Sequence, residues 1–471
     1  MTTKHADLLV LGAGPGGYAA AFYAAEFGSR VILVDKGPNL GGVCLNRGCI
    51  PSKALLHATH IIDQAKESSH FGISFDKPSI DLDKLREWKN AILSKLSSGV
   101  SQLANGRKVE VIIGRGHFEG DQTLRVETDE GQQFITYDKA ILAVGSRPAL
   151  PSVFDLGSKR VMTSTEALDI PDIPKKLLVV GGGYIGMELG FVYSGLGSQV
   201  TVVEAMKSIL TGADPDLVRP VMKKASERFD SIQIDSKVKK ISTKNKQIEV
   251  IIDNNGHETK SLFDKVLVSI GRTPNSQDLG LENTSVKLDD KGYVCVNSSQ
   301  QTDDSHIYAI GDIAGGLLLA HKASKEAKIA VEVIHGQPTE FNDVIIPAVV
   351  FTDPEVAWCG LTEIEAKEKK IAVEVIKFPW GASGRALTLG QTDGLTKLIV
   401  HPDTHRILGV GIVGPHAGDL ISEGVLAIEM QATVEDLAET VHPHPTLSET
   451  LFEAAEAFLG HSAHMISKKR K

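Results

Sequence analysis

Asp7-Leu8-Leu9-Val10-Leu11-Gly12-Ala13-Gly14-Pro15-Gly16-Gly17 carries the first apolar run of the chain. A small-residue stretch from Tyr18 to Phe27 follows it, and then a second apolar run, Val31 to Val34, which ends at Asp35. The order reads as strand, glycine turn, helix and strand, with Gly12, Gly14 and Gly17 in G-x-G-x-x-G spacing. In such a unit Gly12 permits the turn, Gly14 lets the backbone approach a pyrophosphate, and Gly17 allows the helix to pack closely on the strand. Asp35 then offers a carboxylate to ribose hydroxyls. A G-x-G-x-x-G on its own is equally a glycine-rich turn; the flanking strand, helix and acidic strand end select dinucleotide binding.

The same signal returns later. Lys176 to Val180 reads as a strand, Gly181, Gly183 and Gly186 repeat the spacing, a helix is expected from Tyr184 to Ser194, and Val200 to Val203 ends at Glu204. The first glycine and the acid are equally far apart in both copies (12 to 35, 181 to 204), so two dinucleotides are expected. Glu204 accepts hydrogen bonds from a free 2′-hydroxyl and repels a 2′-phosphate, and no arginine follows it in Ala205-Met206-Lys207-Ser208, which favours NAD over NADP at the second site. Lys207 is the one feature pointing the other way, and it also reads as a solvated charge.

The 471 residues exceed one ordinary domain and fit roughly three. A net charge of −9 argues against a nucleic-acid partner. No apolar run approaches the ~18 residues that cross a bilayer. No signal or transit pattern precedes Leu8, so a cytoplasmic chain with no membrane partner is expected. Four cysteines are too few for a disulfide scaffold, and a close pair in a reducing compartment is expected to be catalytic or metal-binding.

That pair lies in Gly41-Gly42-Val43-Cys44-Leu45-Asn46-Arg47-Gly48-Cys49-Ile50-Pro51-Ser52-Lys53. Zinc is one reading, since His57 and His60 come next, but no closed four-ligand pattern emerges, and no metal is expected. Buried structural thiols are another. A redox pair beside a flavin connects the parts: a thiolate attacks the disulfide, and the second sulfur donates electrons to the flavin.

Near the end stands His442-Pro443-His444-Pro445-Thr446-Leu447-Ser448-Glu449. Its prolines stiffen the segment ahead of a helix expected to begin near Leu447. An imidazole held there is suited to taking a thiol proton, and a nearby carboxylate can orient it. A surface turn is the alternative reading.

Gly41 to Lys53 resembles the redox-disulfide segment of the class I pyridine nucleotide-disulfide oxidoreductases, and the likeness covers essentially the whole chain. Ile141-Leu142-Ala143-Val144-Gly145-Ser146-Arg147-Pro148 resembles the exit from that family's FAD domain, and Ser269-Ile270-Gly271-Arg272-Thr273-Pro274-Asn275 the exit from its NAD domain. Ile310-Gly311-Asp312 resembles its second FAD motif, and Ala320-His321-Lys322-Ala323 the start of the helix beside the flavin.

The resemblance implies an α/β fold: two Rossmann-like dinucleotide-binding domains, a central segment and an α+β dimerisation domain. The expected divisions are 1–146 for FAD, 147–272 for NAD, 273–343 completing the FAD site, and 344–471 for dimerisation. It implies FAD at Gly12, Gly14, Gly17, Asp35, Lys36, Lys53, Gly145, Asp312 and Ala320, and NAD at Gly181, Gly183, Gly186, Glu188, Glu204 and Gly271. Lys53 and Glu188 resemble the family's ion pair beside the flavin. Cys44 is implied as the interchange thiol, Cys49 as the charge-transfer thiol, His444 as the base and Glu449 as its partner; His442 reads as structural.

The activity implied is oxidation of a dihydrolipoyl thiol pair with reduction of NAD. The base would come from the other subunit of a homodimer, and the lipoyl arm from a lipoyl domain of an α-keto acid dehydrogenase complex or glycine cleavage system. Glutathione reductase-like enzymes typically carry arginines near the second acid and often alanine at the third glycine, where this chain has Glu204 and Gly186. Mercuric reductase and the large thioredoxin reductases need a further redox pair near the carboxy terminus, but the last cysteine is Cys359. A structural subunit with a vestigial redox site is the rival from another class; the intact motifs speak against it. Arg47 stands where a small apolar residue is expected, either favouring a thiolate or facing solvent. Asp35 is shorter than the usual glutamate, and Lys468 to Lys471 reads as a disordered tail.

Overall fold

The computed structural model describes residues 3–120 and 122–466, so the basic stretch Lys468 to Lys471 lies outside the described residues. Val31–Asp35 and Lys176–Val180 are nearly unbroken β-branched and leucine runs, the composition of strands covered on both faces of a parallel sheet. Each sits at or beside the centre of one. The first sheet runs Glu110–Ile113, Val31–Asp35, Thr3–Leu11, Gly131–Leu142, Thr123–Thr128, Arg115–Gly120, with Ile307–Ala309 also paired to Gly131–Leu142. Its centre is parallel, with Leu9 opposite both Ile32 and Ala140 and Ala309 opposite Leu142. The second runs Ser231–Gln233, Gln199–Val203, Lys176–Val180, Lys265–Val268, Val161–Met162, all parallel.

The first strand begins at Thr3, ahead of the expected apolar start. Lys4 and His5 join the ladder opposite Ile135 and Thr136 while remaining at least partly exposed, so an edge of polar side chains hid the pairing from an apolar count. The first helix begins at Pro15, three residues before the expected Tyr18, because proline's fixed φ suits the opening helical position. The last helix is Glu449–Leu459, starting two residues after Leu447.

The third main sheet is antiparallel throughout: Ala348–Val350, Val356–Gly360, Ile407–Val413, Leu395–Val400, Glu374–Pro379. Helices Ala417–Glu429 and Glu449–Leu459 share its core through Ile421, Leu451, Ala454 and Phe458, packed with Trp380 and Ile412. Two short strands, Ser146–Pro148 and Arg272–Pro274, pair antiparallel where the chain passes between the first two sheets. Among the described residues no helix is long and apolar enough to cross a membrane.

A buried charge cluster fastens the antiparallel sheet to the helix Pro215–Arg228. Lys397, 1 % exposed, donates from Nζ to Asp214 Oδ2 at 2.7 Å, Asp216 Oδ1 at 2.9 Å and Glu363 Oε1 at 2.8 Å. Asp214 also accepts the backbone N–H groups of Glu363 and Ile364. Lys397→Met would leave the buried Asp214 carboxylate without its cation, while Lys377 would still pair with Asp216 and Glu363. Loss of one partner from such a buried set costs about 3–5 kcal/mol, so the variant is expected to melt well below the unmodified protein in a calorimetric scan; an unchanged melting temperature would refute this account of the cluster.

Candidate active site

The two glycine turns are geometric twins. Gly12 and Gly181 have φ of 106° and 104°, a region that side chains rarely adopt, and each donates its N–H to the neighbouring strand, at Val34 and Val203. A Cβ on Gly17 would lie 1.7 Å from the Gly12 carbonyl oxygen, and one on Gly186 would lie 2.0 Å from that of Gly181, so helix and turn meet without side chains between them. The acids close the turns in the same way. Asp35 accepts from Ala13 N at 2.6 Å and Gly37 N at 2.7 Å; Glu204 accepts from Gly182 N at 2.6 Å and Met206 N at 2.7 Å. Each carboxylate therefore fixes its turn and stands at the strand end where a ribose would lie.

A cavity of about 640 Å³ begins at the first turn. Gly12, Gly14, Asp35, Lys36, Cys44, Cys49, Lys53, Gly145, Asp312 and Ala320 all line it, and so does Glu188 from the second module. Gly17 lies beneath it in the helix–strand contact. Gly181, Gly183, Gly186, Glu204 and Gly271 belong to the second turn and its surroundings and do not line it. The cysteine segment is drawn against the first turn by a hydrogen bond from Gly41 N to Ala13 O, 2.9 Å. Asn46 secures the bend, donating from its amide to the carbonyls of Leu40 and Gly42.

Cys44 lies in the short helix Gly42–Arg47, and Cys49 opens the helix Cys49–Glu67. Both are free thiols, Cys44 half-buried and Cys49 exposed. The hydrogen bond between them divides their acidities. Cys49 is brought down to about 7, first by the Cys44 thiol and then by the Lys53 cation, against the desolvating walls and the Glu188 charge. The same hydrogen bond, and then burial, push Cys44 up. Lys53 is thus a cation that acts on both sulfurs; Arg47 is exposed and lines the cavity.

Lys53 Nζ lies 2.8 Å from Glu188 Oε2 and 4.5 Å from the centre of the Phe351 ring. Glu188, 3 % exposed, also accepts from Ser52 Oγ at 2.8 Å and Phe351 N at 3.0 Å. At the far wall Asp312 accepts a short hydrogen bond from Ser146 Oγ, and Arg272 Nε donates to the same hydroxyl at 2.6 Å. Ser52, Phe351, Ser146 and Arg272 carry no role in the motif reading. Three of them stand inside quoted segments, but their partners lie more than a hundred residues away; Phe351 gave no local signal at all.

His444 is placed apart. Its Nδ1 is 2.9 Å from Glu449 Oε1, while Glu449 Oε2 accepts from Thr446 N at 2.7 Å. Burial opposes ionisation of Glu449, but the Thr446 N–H and His444 outweigh it and hold the carboxyl below the usual range. The imidazole is 80 % exposed. Among the described residues none beyond Ala323 lines the cavity, so one chain does not bring His444 to its own cysteines there. The groups of converging ligand atoms found among the described residues, His5–Asp7–Asp138 and Asp214–Asp216–Glu363, include neither cysteine and neither His57 nor His60.

Residues 6–327 match the family described as pyridine nucleotide-disulphide oxidoreductase, and residues 346–455 match its dimerisation domain. The chain is 43 % identical to the dihydrolipoyl dehydrogenase of Vibrio cholerae, over 99 % of this chain and 98 % of the relative. It is 45 % identical to that of Geobacillus stearothermophilus, over 98 % of each. Among solved structures, LpdA from Mycobacterium tuberculosis superposes with a TM-score of 0.90 at 26 % identity, covering 97 % of this chain and 99 % of that one. The flavoprotein disulfide reductase RclA from Escherichia coli, solved as a Cu(II) complex, gives 0.86 at 26 % identity over 97 % and 99 %.

The acidities of the pair are testable in the reduced protein. Ultraviolet thiolate absorbance is expected to rise by one equivalent around pH 7, the value for Cys49. Cys49→Ser should abolish that step, and Lys53→Met should move it to higher pH. A first step that survives Cys49→Ser would assign the thiolate wrongly.

Proposed function

The chain belongs to the pyridine nucleotide-disulphide oxidoreductase family, and from that premise we propose that it acts as a dihydrolipoyl dehydrogenase, oxidising lipoyl-bound dithiol to the disulfide and reducing NAD. The observation that carries this reading is the cysteine pair lining the cavity at the first glycine turn, together with Lys53 and the Glu188 carboxylate that holds it.

The residues present fit FAD. The glycine turn, the Asp35 carboxylate and the free N-terminus of the helix Pro15–Glu26 suit its adenosine and pyrophosphate, while Gly145, Asp312 and Ala320 line the same cavity farther along the chain. Held there, FAD would supply the two-electron acceptor for the cysteine dithiol and the relay to NAD. For NAD the second turn and Glu204 offer the corresponding cradle, and the Glu204 carboxylate disfavours a 2′-phosphate.

His444 is the base. Its Nδ1 is engaged by Glu449, which leaves Nε2 to take a proton from the substrate thiol. The step starts from the oxidised form, in which Cys44 and Cys49 are joined as a disulfide: the substrate thiolate attacks Cys44 Sγ, a substrate–Cys44 bond forms, the Cys44–Cys49 bond breaks, and Cys49 leaves as thiolate. The second substrate sulfur, losing its proton, then attacks the first; the substrate closes to its disulfide and Cys44 departs, taking up a proton. The acidities suit this division of labour, because the sulfur that leaves is the one whose thiolate is stabilised.

Since His444 stands outside its own chain's cavity, the reading places it in the cavity of the partner subunit of a homodimer, in accord with the dimerisation-domain match. The lipoyl arm is assigned to a lipoyl domain of an α-keto acid dehydrogenase or glycine cleavage assembly, and the setting to the cytoplasm. The four-part division at residues 146, 272 and 343 belongs to the same reading.

With dihydrolipoamide, the FAD-loaded protein is expected to reduce NAD rapidly and NADP poorly, and His444→Gln should lower turnover by about 10²–10⁴-fold. If FAD is bound and neither nucleotide is reduced, the substrate is another disulfide and the lipoyl assignment fails.

A further inference from the structure

His442 is the residue of the His-Pro-His-Pro segment that the proposed reaction leaves unused. Its side chain is 5 % exposed, and its ring lies 5.9 Å from that of Phe452. Nδ1 is 2.8 Å from the Thr440 carbonyl oxygen, and Nε2 is 2.7 Å from Glu423 Oε1. A carbonyl only accepts, so Nδ1 donates to Thr440, while Nε2 shares a hydrogen bond with the Glu423 carboxyl group, and both ring nitrogens are held.

The two contacts reach different elements. Glu423 is on the helix Ala417–Glu429, which shares the core of the antiparallel sheet. Thr440 caps the helix Val434–Glu439 and is itself tied back by its hydroxyl to Asp436 O at 2.8 Å. Four residues beyond His442, Thr446 Oγ1 donates to Pro443 O at 2.7 Å, and Thr446 N to Glu449. His444 projects from between these anchors. The charged and titratable groups around His442 are Glu423, Glu449 on the helix Glu449–Leu459, and His444 itself.

We infer that His442 and Glu423 form a clamp that positions His444 for proton transfer. The inference rests on the reading of His444 as the base. His442 touches no reacting atom; it acts by fixing the backbone from which the base projects, and a misplacement of about 1 Å at such a group costs on the order of 10²-fold in rate.

The test uses the FAD-loaded protein with His442→Gln, Glu423→Ala and the double variant, and His444→Gln as reference. Each clamp variant is expected to lower kcat with dihydrolipoamide by about tenfold to hundredfold with KM for NAD unchanged. NADH-driven reduction of a one-electron dye, which needs no thiol proton transfer, should be unaffected. The double variant should lose no more than either single one, as two halves of one device do. Unaltered dithiol turnover in His442→Gln overturns the clamp, as do a parallel fall in dye reduction or losses that multiply in the double variant. If His444→Gln itself keeps full turnover, the base assignment falls, and that outcome is separate from a failure of the clamp alone.

Discussion

A carboxylate buried to 3 % exposure is costly to desolvate unless every side of it is met by a donor or a cation. Glu188 meets that requirement only because three separate parts of the chain converge on it: Ser52 and Lys53 from the cysteine helix, its own helix Tyr184–Leu196 behind the second glycine turn, and the backbone of Phe351 beside the antiparallel sheet. Moving any one of these would leave an anion uncompensated in the interior. Glu188 thus holds the redox sulfurs, the second dinucleotide module and the antiparallel sheet in one fixed relation, and it places Lys53 where its charge acts on both sulfurs.

The glycine turns show how a local pattern can specify local geometry fully. Strand, glycine spacing and acid all lie within one short stretch, and both copies fold to the same turn, the same helix contact and the same carboxylate closure. The sequence was legible there because every partner is a near neighbour. It was legible for Cys44, Cys49, His444 and Glu449 through the resemblance, and the short-range His444–Glu449 contact follows from five residues of chain.

What sequence reasoning missed is non-local. Ser146, Arg272 and Asp312 meet across more than a hundred residues, and Ile307–Ala309 joins a sheet whose other strands end by Leu142. Lys397 among three carboxylates has no signature in its own strand, where a lysine reads as an exposed position. The early start of the first strand was hidden for a related reason: backbone pairing at Lys4 and His5 does not depend on apolar side chains.

The central claim is that each site joins the cysteines of one chain to the His444–Glu449 pair of the other. Mixed dimers of Cys49→Ser and His444→Gln chains test it most directly. If the base acts across the interface, each mixed dimer combines the intact cysteines of one chain with the intact base of the other. It then recovers one working site of two, about half the turnover of the unmodified dimer. If the base serves its own chain, every site in the mixed dimer carries one lesion, and turnover stays at the level of the two parent variants.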